Sequence, residues 1–145
     1  MIYGVVFEVN TGKILRCVCV SPDNLIQQAG LNEKAIVADK EVVDTLYYVD
    51  NDLCKLRPTQ ATICDKASIV ANGIDSAVFT NTPDGLFSAI RLRNESEPFN
   101  SQDPEQSISG VINGTDTFLT TIAGAYKIRI QAFPYLDFEA TIEAI

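Results

Sequence analysis

The sequence predicts a mainly β protein in which a small N-terminal β-domain precedes an antiparallel β-sandwich. Apolar residues alternate with a period of two along most of the chain, which is the pattern of half-buried strands. Turn-forming residues, mostly Gly, Pro, Asn and Asp, separate the alternating runs. The alternation stops near Pro58 and then restarts. These observations divide the 145 residues into two predicted domains, 1–58 and 59–145.

The predicted N-terminal domain contains two hairpins and one short helix. The runs IYGVVFEV and KILRCVCV flank a turn in which Gly12 can adopt a positive φ. The segment SPDNLIQQAG is the predicted helix, because Ser21 can cap its start and Gly30 can end it. KAIVA is a predicted strand. The second hairpin is LYYVDNDLCKL, in which Asn51 and Asp52 tolerate the left-handed conformation of a tight turn.

The predicted C-terminal domain is built from many short strands. Alternating runs lie between turns predicted at TPDG, which ends at Gly85, and at Gly114. A polar, proline-containing stretch, RNESEPFNSQDPEQ, is predicted to be a long surface loop. The pattern gives about seven or eight short strands, as expected for an antiparallel β-sandwich.

The segment AGAYKIRI predicts a specific packing contact near the start of a late strand. Gly124 permits the turn into the strand, and Tyr126, Ile128 and Ile130 lie on its inward face. A buried tyrosine at this place is typical of the tyrosine corner of Ig-like sandwiches, in which the hydroxyl bonds a nearby backbone group. Tyr126 and Gly124 are therefore predicted to form a structural corner.

Two segments of the C-terminal half resemble bacterial Ig-like domains. KASIVANGIDSAVFTNTPDG is similar to the opening of such domains, with Asn72 in place of the usual Asp. AGAYKIRIQAFPYLDFEATIEA is similar to their end, with a Gly-x-Tyr motif and a final strand. The resemblance implies an Ig-like antiparallel β-sandwich over residues 59–145.

The whole chain resembles small tail-associated proteins of bacteriophages and prophages. In these proteins a hairpin beginning YYV leads to an RP dipeptide and then to an Ig-like module, and this chain has YYV followed by LRP. The resemblance implies a virion structural protein of the tail fibre, baseplate or neck, made in the bacterial cytoplasm. Its implied partners are other virion proteins and copies of itself.

Composition argues against several classes of function. The net charge is −8, which disfavours nucleic acid as a partner because phosphate binding needs clustered cations. No apolar run is long enough for membrane insertion, and the N-terminal residues do not have the pattern of a signal peptide. The chain has no histidine, the commonest general base and a common metal ligand, so we expect no enzymatic activity and no cofactor.

Four cysteines are predicted to be buried free thiols rather than metal ligands or disulfides. Cys17 and Cys19 are two residues apart on one strand face, while Cys54 and Cys64 are distant in sequence. This spacing differs from the usual C-x2-C zinc pattern. We therefore expect neither a structural metal nor a disulfide bond.

Aromatic residues distinguish two hypotheses for how the protein binds its partners. Protein–protein docking in the virion is the first, and a receptor- or carbohydrate-binding module that recognises a host-surface glycan is the alternative. Pro134 within FPYLDF predicts a bend or a sheet edge rather than a central strand. The absence of Trp favours docking over sugar stacking. The predicted docking surface consists of Phe133, Tyr135, Phe138, Tyr47 and Tyr48.

Overall fold

A computed structural model describes residues 1–92 and 107–145. The protein is mainly β, as predicted. The chain divides into two compact units, Met1–Pro58 and Thr59–Ile145. None of the helices in the described ranges has the length and hydropathy of a membrane span. The predicted loop at 93–106 lies outside the described residues.

The first unit contains a three-stranded antiparallel sheet and a separate hairpin. In the sheet β1 lies between β2 and β3, and β4 pairs with β5 in the hairpin. Both predicted hairpins are present. The β4–β5 turn is formed by Asn51 and Asp52, whose φ values of 51° and 59° fit a two-residue turn with left-handed central residues. The strands are β1 Ile2–Glu8, β2 Ile14–Val20, β3 Glu33–Ala38, β4 Tyr47–Asp50 and β5 Leu53–Leu56.

The predicted short helix is two successive 3-10 helices, Pro22–Asn24 and Ile26–Gln28. Ser21 has an extended backbone but makes no side-chain capping bond, so the predicted cap is wrong. The tighter geometry turns Leu25 onto β1. A Cβ atom at Gly4 would lie 2.3 Å from Leu25 Cδ1, so only glycine leaves room for this side chain. The segment thereby covers the face of the sheet opposite its main core.

An ion pair holds the end of this 3-10 segment against the sheet. Arg16 binds both carboxylate oxygens of Glu33, with N–O distances of 2.8 and 3.2 Å, and also donates to the carbonyl of Gln28. Glu33 accepts a further bond from the Gly30 amide at 2.6 Å. These bonds, first that from Arg16, lower the pKa of Glu33. The buried core on the other face comprises Val5, Phe7, Ile14, Ala38, Val42 and Val49.

The second unit is a single branched sheet whose strands fold into two layers. The strand order is β6-β8-β10-β11-β7, and β9 pairs with β8. Pairing is antiparallel except between β7 and β11, which run parallel. Backbone bonds of 2.9 Å from Glu143 to Ala67 and from Ile145 to Ile69 join this parallel pair. The strands are β6 Ile63–Cys64, β7 Ser68–Ile69, β8 Ala77–Leu92, β9 Ser107–Phe118, β10 Gly124–Gln131 and β11 Phe138–Ala144.

Two predicted turns are interruptions within continuous strands. TPDG lies inside β8, and Gly114 lies inside β9, opposite Thr82. The β8–β9 register shifts twice, between Phe79 and Thr82 and between Thr82 and Gly85. Bulges use the same turn-forming residues as hairpin loops, which explains the error. The described part of this unit therefore has fewer and longer strands than predicted.

The bulged region lets one strand contribute to both layers of the core. Phe79, before the bulges, packs on Phe87, after them, with ring centroids 5.5 Å apart. Phe79 also contacts Phe138 of β11 at 6.2 Å. Strands that bend at bulges commonly pass from one packed layer to the next. The core so enclosed comprises Ile69, Ala77, Phe79, Phe87, Ala89, Ile112, Phe118, Tyr126, Ile128, Ile130, Ile142 and Ala144.

A buried glutamine ties the start of this unit to the end of β10. Gln60 Nε2 donates to the carbonyls of Ile130 and Leu136, both at 2.9 Å, and Gln60 Oε1 accepts from the Thr62 hydroxyl at 2.8 Å. Because a buried polar group costs free energy when it lacks partners, this amide is stabilising only with all three bonds in place. It fixes the turn between β10 and β11.

Tyr126 forms the contact that defines a tyrosine corner. Its side chain is fully buried, and its hydroxyl donates to the Ile122 carbonyl at 2.8 Å. The hydroxyl also lies 3.0 Å from Thr120 Oγ1, and the ring packs on Phe118 with centroids 5.0 Å apart. Gly124, two residues before it, has φ 147°, which favours glycine. The corner closes the link between β9 and β10.

Side-chain bonds organise the turn that follows β7. Asn72 Oδ1 accepts from the backbone amides of Ile74 and Asp75, both at 2.8 Å. Asp75 accepts from Lys66 Nζ at 2.6 Å and from the Val70 amide at 2.8 Å. The Asp75 carboxylate therefore joins the residues after β6 to those after β7. The hydrogen bond from Lys66, followed by that from Val70, lowers the pKa of Asp75.

We expect Tyr126→Phe to destabilise the protein by about 1 kcal/mol, and by up to ~3 if the Ile122 carbonyl stays unsatisfied. Tyr126→Ala also empties part of the core and should cost on the order of 3–5 kcal/mol. Urea denaturation of the full chain measures both values. Tyr3→Phe is the control, because Tyr3 is exposed and should show no change. Equal stability of wild type and both Tyr126 variants would contradict the corner.

Asp75→Asn should destabilise the protein at neutral pH but not in strong acid. Because the folded-state pKa of Asp75 is lowered, its ionised form stabilises the fold above the ordinary pKa of 3.8. That stabilisation is lost as the pH falls through the folded-state pKa. The difference in unfolding free energy between wild type and variant should therefore shrink from about pH 7 to about pH 3 and below. A difference independent of pH, or equal to that of the exposed control Asp84→Asn, would contradict this role.

Candidate functional site

An exposed apolar stripe lies on the outer face of the second unit. It consists of Leu86, Ile90 and Leu92 of β8 and Val111 of β9, and we call it the outer stripe. Leu86 and Val111 are direct partners in the β8–β9 ladder. The four side chains are between 38% and 81% exposed, with Val111 the most exposed. Strand residues with this much apolar exposure side by side mark a surface suited to protein contacts.

The local sequence explains why the stripe forms. In LFSAIRL the inward positions of β8 are Phe87 and Ala89, which are buried in the core. The alternate positions, which face outward, are also mostly apolar. A half-buried strand normally carries polar residues there. This two-sided apolar pattern of LFSAIRL is visible in the sequence.

Charged residues border the outer stripe on one side. Lys127 and Arg129 of β10 lie beside β8, opposite Ile90 and Ser88 in the ladder. Lys127 is 3.7 Å from Glu139, and Arg129 Nε donates to Asp137 at 2.9 Å. These exposed pairs contribute about 0–1 kcal/mol each. These charged side chains form the polar border of the outer stripe on the side of β10.

The other side of the stripe ends at an open strand edge. Among the described strands, β9 pairs with β8 alone. Gly110, Val111 and Asn113 are exposed along this part of β9. A free edge presents backbone amide and carbonyl groups that can pair with another strand. The outer stripe and the β9 edge together form the candidate docking site.

The aromatic residues predicted as a docking surface are only partly available. Phe138 packs against the core of the second unit, and Tyr47 packs against the core of the first. Both rings are half-buried, so only part of each is accessible to a partner. Phe133 is 38% exposed, whereas Tyr135 and Tyr48 are half-buried. FPYLDF forms the bend between β10 and β11, as Pro134 suggested.

The four cysteines are free thiols, but their predicted burial is wrong. Cys17 and Cys19 are exposed, and Cys54 and Cys64 are half-buried. The register shift between Val6 and Phe7 places Cys17 directly opposite the core residue Val5, so its side chain lies on the core face of the sheet although it remains exposed. Cys17 Sγ donates to the Val42 carbonyl at 2.8 Å, and partial burial, as the main cause, raises the pKa of both Cys17 and Cys54. Within the described ranges, no cluster of three or more acidic, cysteine or histidine residues is arranged to hold a metal.

Comparisons with known proteins were made at three levels. No protein-family model, no curated protein and no solved structure matches the chain.

Proposed function

We propose that the protein is a non-enzymatic structural component of a phage virion, in the tail fibre, baseplate or neck, that assembles by docking. The partner seated on the candidate docking site is a second copy of this chain, and other virion proteins bind the resulting assembly. The observation that carries the proposal is the open β9 edge beside the outer stripe. The virion role is supported by the resemblance to phage tail-associated proteins.

The composition of β9 favours pairing with another strand. Its 12 residues contain one charged residue, Asp116, and no proline. Soluble proteins usually protect an exposed edge with Lys, Pro or several charges, because an unprotected edge recruits other strands. A strand without such protection is suited to be an interface.

Pairing of two β9 strands about Val111 meets both geometric and electrostatic requirements. In an antiparallel pair related by a two-fold axis, the two Val111 side chains lie next to each other on the same face. Each is flanked by Leu86 of its own chain, so the two outer stripes become one continuous apolar surface. The two Asp116 carboxylates fall at opposite ends of the paired strands, so like charges do not face each other.

The net charge sets the expected response to salt. Each copy carries a net charge of −8, so two copies repel each other at long range. Salt screens this repulsion and leaves the apolar contact intact. Dimerisation should therefore strengthen as the salt concentration rises.

The lack of histidine supports a non-enzymatic role. Histidine is the commonest general base in enzymes, and the sequence has none. Catalysis would have to come from other groups, such as a Ser-Lys pair or two carboxylates. Hydrolysis of a bacterial polysaccharide, a peptide or a phosphoester by the purified protein would overturn this part of the proposal.

We expect Val111→Lys to convert the dimer into a monomer. The change places two ammonium groups together at the two-fold axis. The dissociation constant of the dimer should therefore rise by about tenfold or more. Sedimentation velocity of the full chain at several concentrations measures the effect. Ile74→Lys is the matched control, because Ile74 is 83% exposed but lies outside the outer stripe. A monomeric wild type, or equal dimerisation of the Val111 and Ile74 variants, would refute the second copy as the partner.

The virion role requires that assembled particles contain the chain. Particles purified from a strain whose prophage encodes this protein should contain several copies of it by quantitative mass spectrometry. A tagged chain carrying Val111→Lys should be incorporated less than the Ile74→Lys control. Absence of the wild-type chain from particles would refute the virion role and leave the dimer unaffected.

A further inference from the structure

The first unit contains a cleft between its two hairpin turns. The β1–β2 turn forms one wall and the β4–β5 turn forms the other, and the cavity between them measures about 410 Å³. The buried side chains of Phe7 and Val49 lie at its base. Its rim is polar and includes Asn10 and Asn51, one from each turn. Small-molecule sites typically combine such a size with an apolar base and a few polar groups.

The two walls are fixed relative to each other. The Val49 amide donates to the Gly12 carbonyl at 2.8 Å, which joins β4 directly to the β1–β2 turn. Gly12 has φ 78°, and a Cβ atom there would lie 2.0 Å from the Val49 carbonyl oxygen. No other residue allows this approach. The cleft is therefore preformed and does not need a ligand to bring its walls together.

The charges around the cleft are balanced by pairs. Lys34 Nζ binds both oxygens of Asp52, at 2.8 and 2.9 Å. Asp50 accepts from Lys55 Nζ at 2.8 Å. Both acidic residues that line the cleft thus have a cationic partner. The acidic side chains of the cleft thus offer no uncompensated charge to an ionic ligand.

The free hydrogen-bonding capacity lies in the two asparagines. The Asn10 and Asn51 side chains form no hydrogen bond within the part of the chain that the structure describes, and both are exposed at the rim. Each amide offers two N–H donors and one carbonyl acceptor. Hydroxyl groups, which both donate and accept, are the natural complement of such amides. Val9, which is 55% exposed, adds an apolar contact at the same rim.

We propose that this cleft is a binding site for a neutral sugar, whose hydroxyl groups bond the amides of Asn10 and Asn51 and whose apolar ring face lies on Val9. The preformed walls, the paired charges and the two amides, one from each turn, favour an uncharged polyhydroxyl ligand over an ion. Every residue that forms the site belongs to Met1–Pro58, whereas the outer stripe belongs to the second unit.

The test is a titration of the isotopically labelled full chain with neutral sugars, followed by amide NMR. The probes are glucose, galactose and N-acetylglucosamine. At least one should shift the amide signals of residues 10–12 and 49–52 in a saturable manner. Glucuronate and glucosamine, which carry a charge, should bind more weakly. No saturable shift at these residues with any neutral sugar would overturn the proposal, and so would tighter binding of a charged sugar.

Asn51→Gly tests the side chain without disturbing the turn. Glycine adopts the φ of 51° found at Asn51, so the hairpin should stay folded while the amide is removed. The affinity should fall about tenfold, as expected for the loss of one or two hydrogen bonds. Asn81→Gly is the matched control, because Asn81 also has a positive φ of 56° but lies in β8, outside the cleft. Asn10→Ala should weaken binding as well. Equal affinity in all three variants and wild type would refute the proposed contacts.

Discussion

The second unit depends on the close approach of β8 to the end of β10. At Gly85 a Cβ atom would lie 2.3 Å from the Gln131 carbonyl oxygen and 2.8 Å from the Ala132 Cβ. Only glycine allows the backbones to come so near. Because β8 can pass Gln131 at this distance, its second half joins β10 while its first half pairs with β6. Phe79 and Phe87 then face each other across the core, and one strand supplies both layers.

The features that sequence could predict are those set by local chemistry. Gly12 and the Asn51–Asp52 pair identify their hairpin turns because few other residues tolerate those backbone conformations. Alternation places Tyr126, Ile128 and Ile130 on the inward face of β10, and all three are fully buried. In each case the residues that identify the feature lie within a few positions of the feature itself.

The features that sequence reasoning missed depend on distant partners. TPDG is compatible with a hairpin loop and with a bulge, and only the pairing of Thr82 with Gly114 decides between them. Ser21 could cap an α-helix, but the segment forms two 3-10 helices, and the buried Leu25 between them lies against Gly4 of β1. Gln60 looks like an ordinary surface residue until its two carbonyl partners, some 70 positions away, are known. The cleft likewise joins turns that are far apart in the sequence.

The parallel pairing of β7 with β11 has a mechanical consequence. When tension pulls the second unit apart through the residue before β7 and the residue after β11, the two strands are drawn past each other along their length. The bonds from Glu143 to Ala67, from Ile145 to Ile69 and from Ala71 to Ile145 then carry the load together, as a shear, and cannot open one at a time. An antiparallel pair loaded in the same way would unzip bond by bond. This strand pair therefore resists a force applied along the strands better than a force that separates the strands from one end.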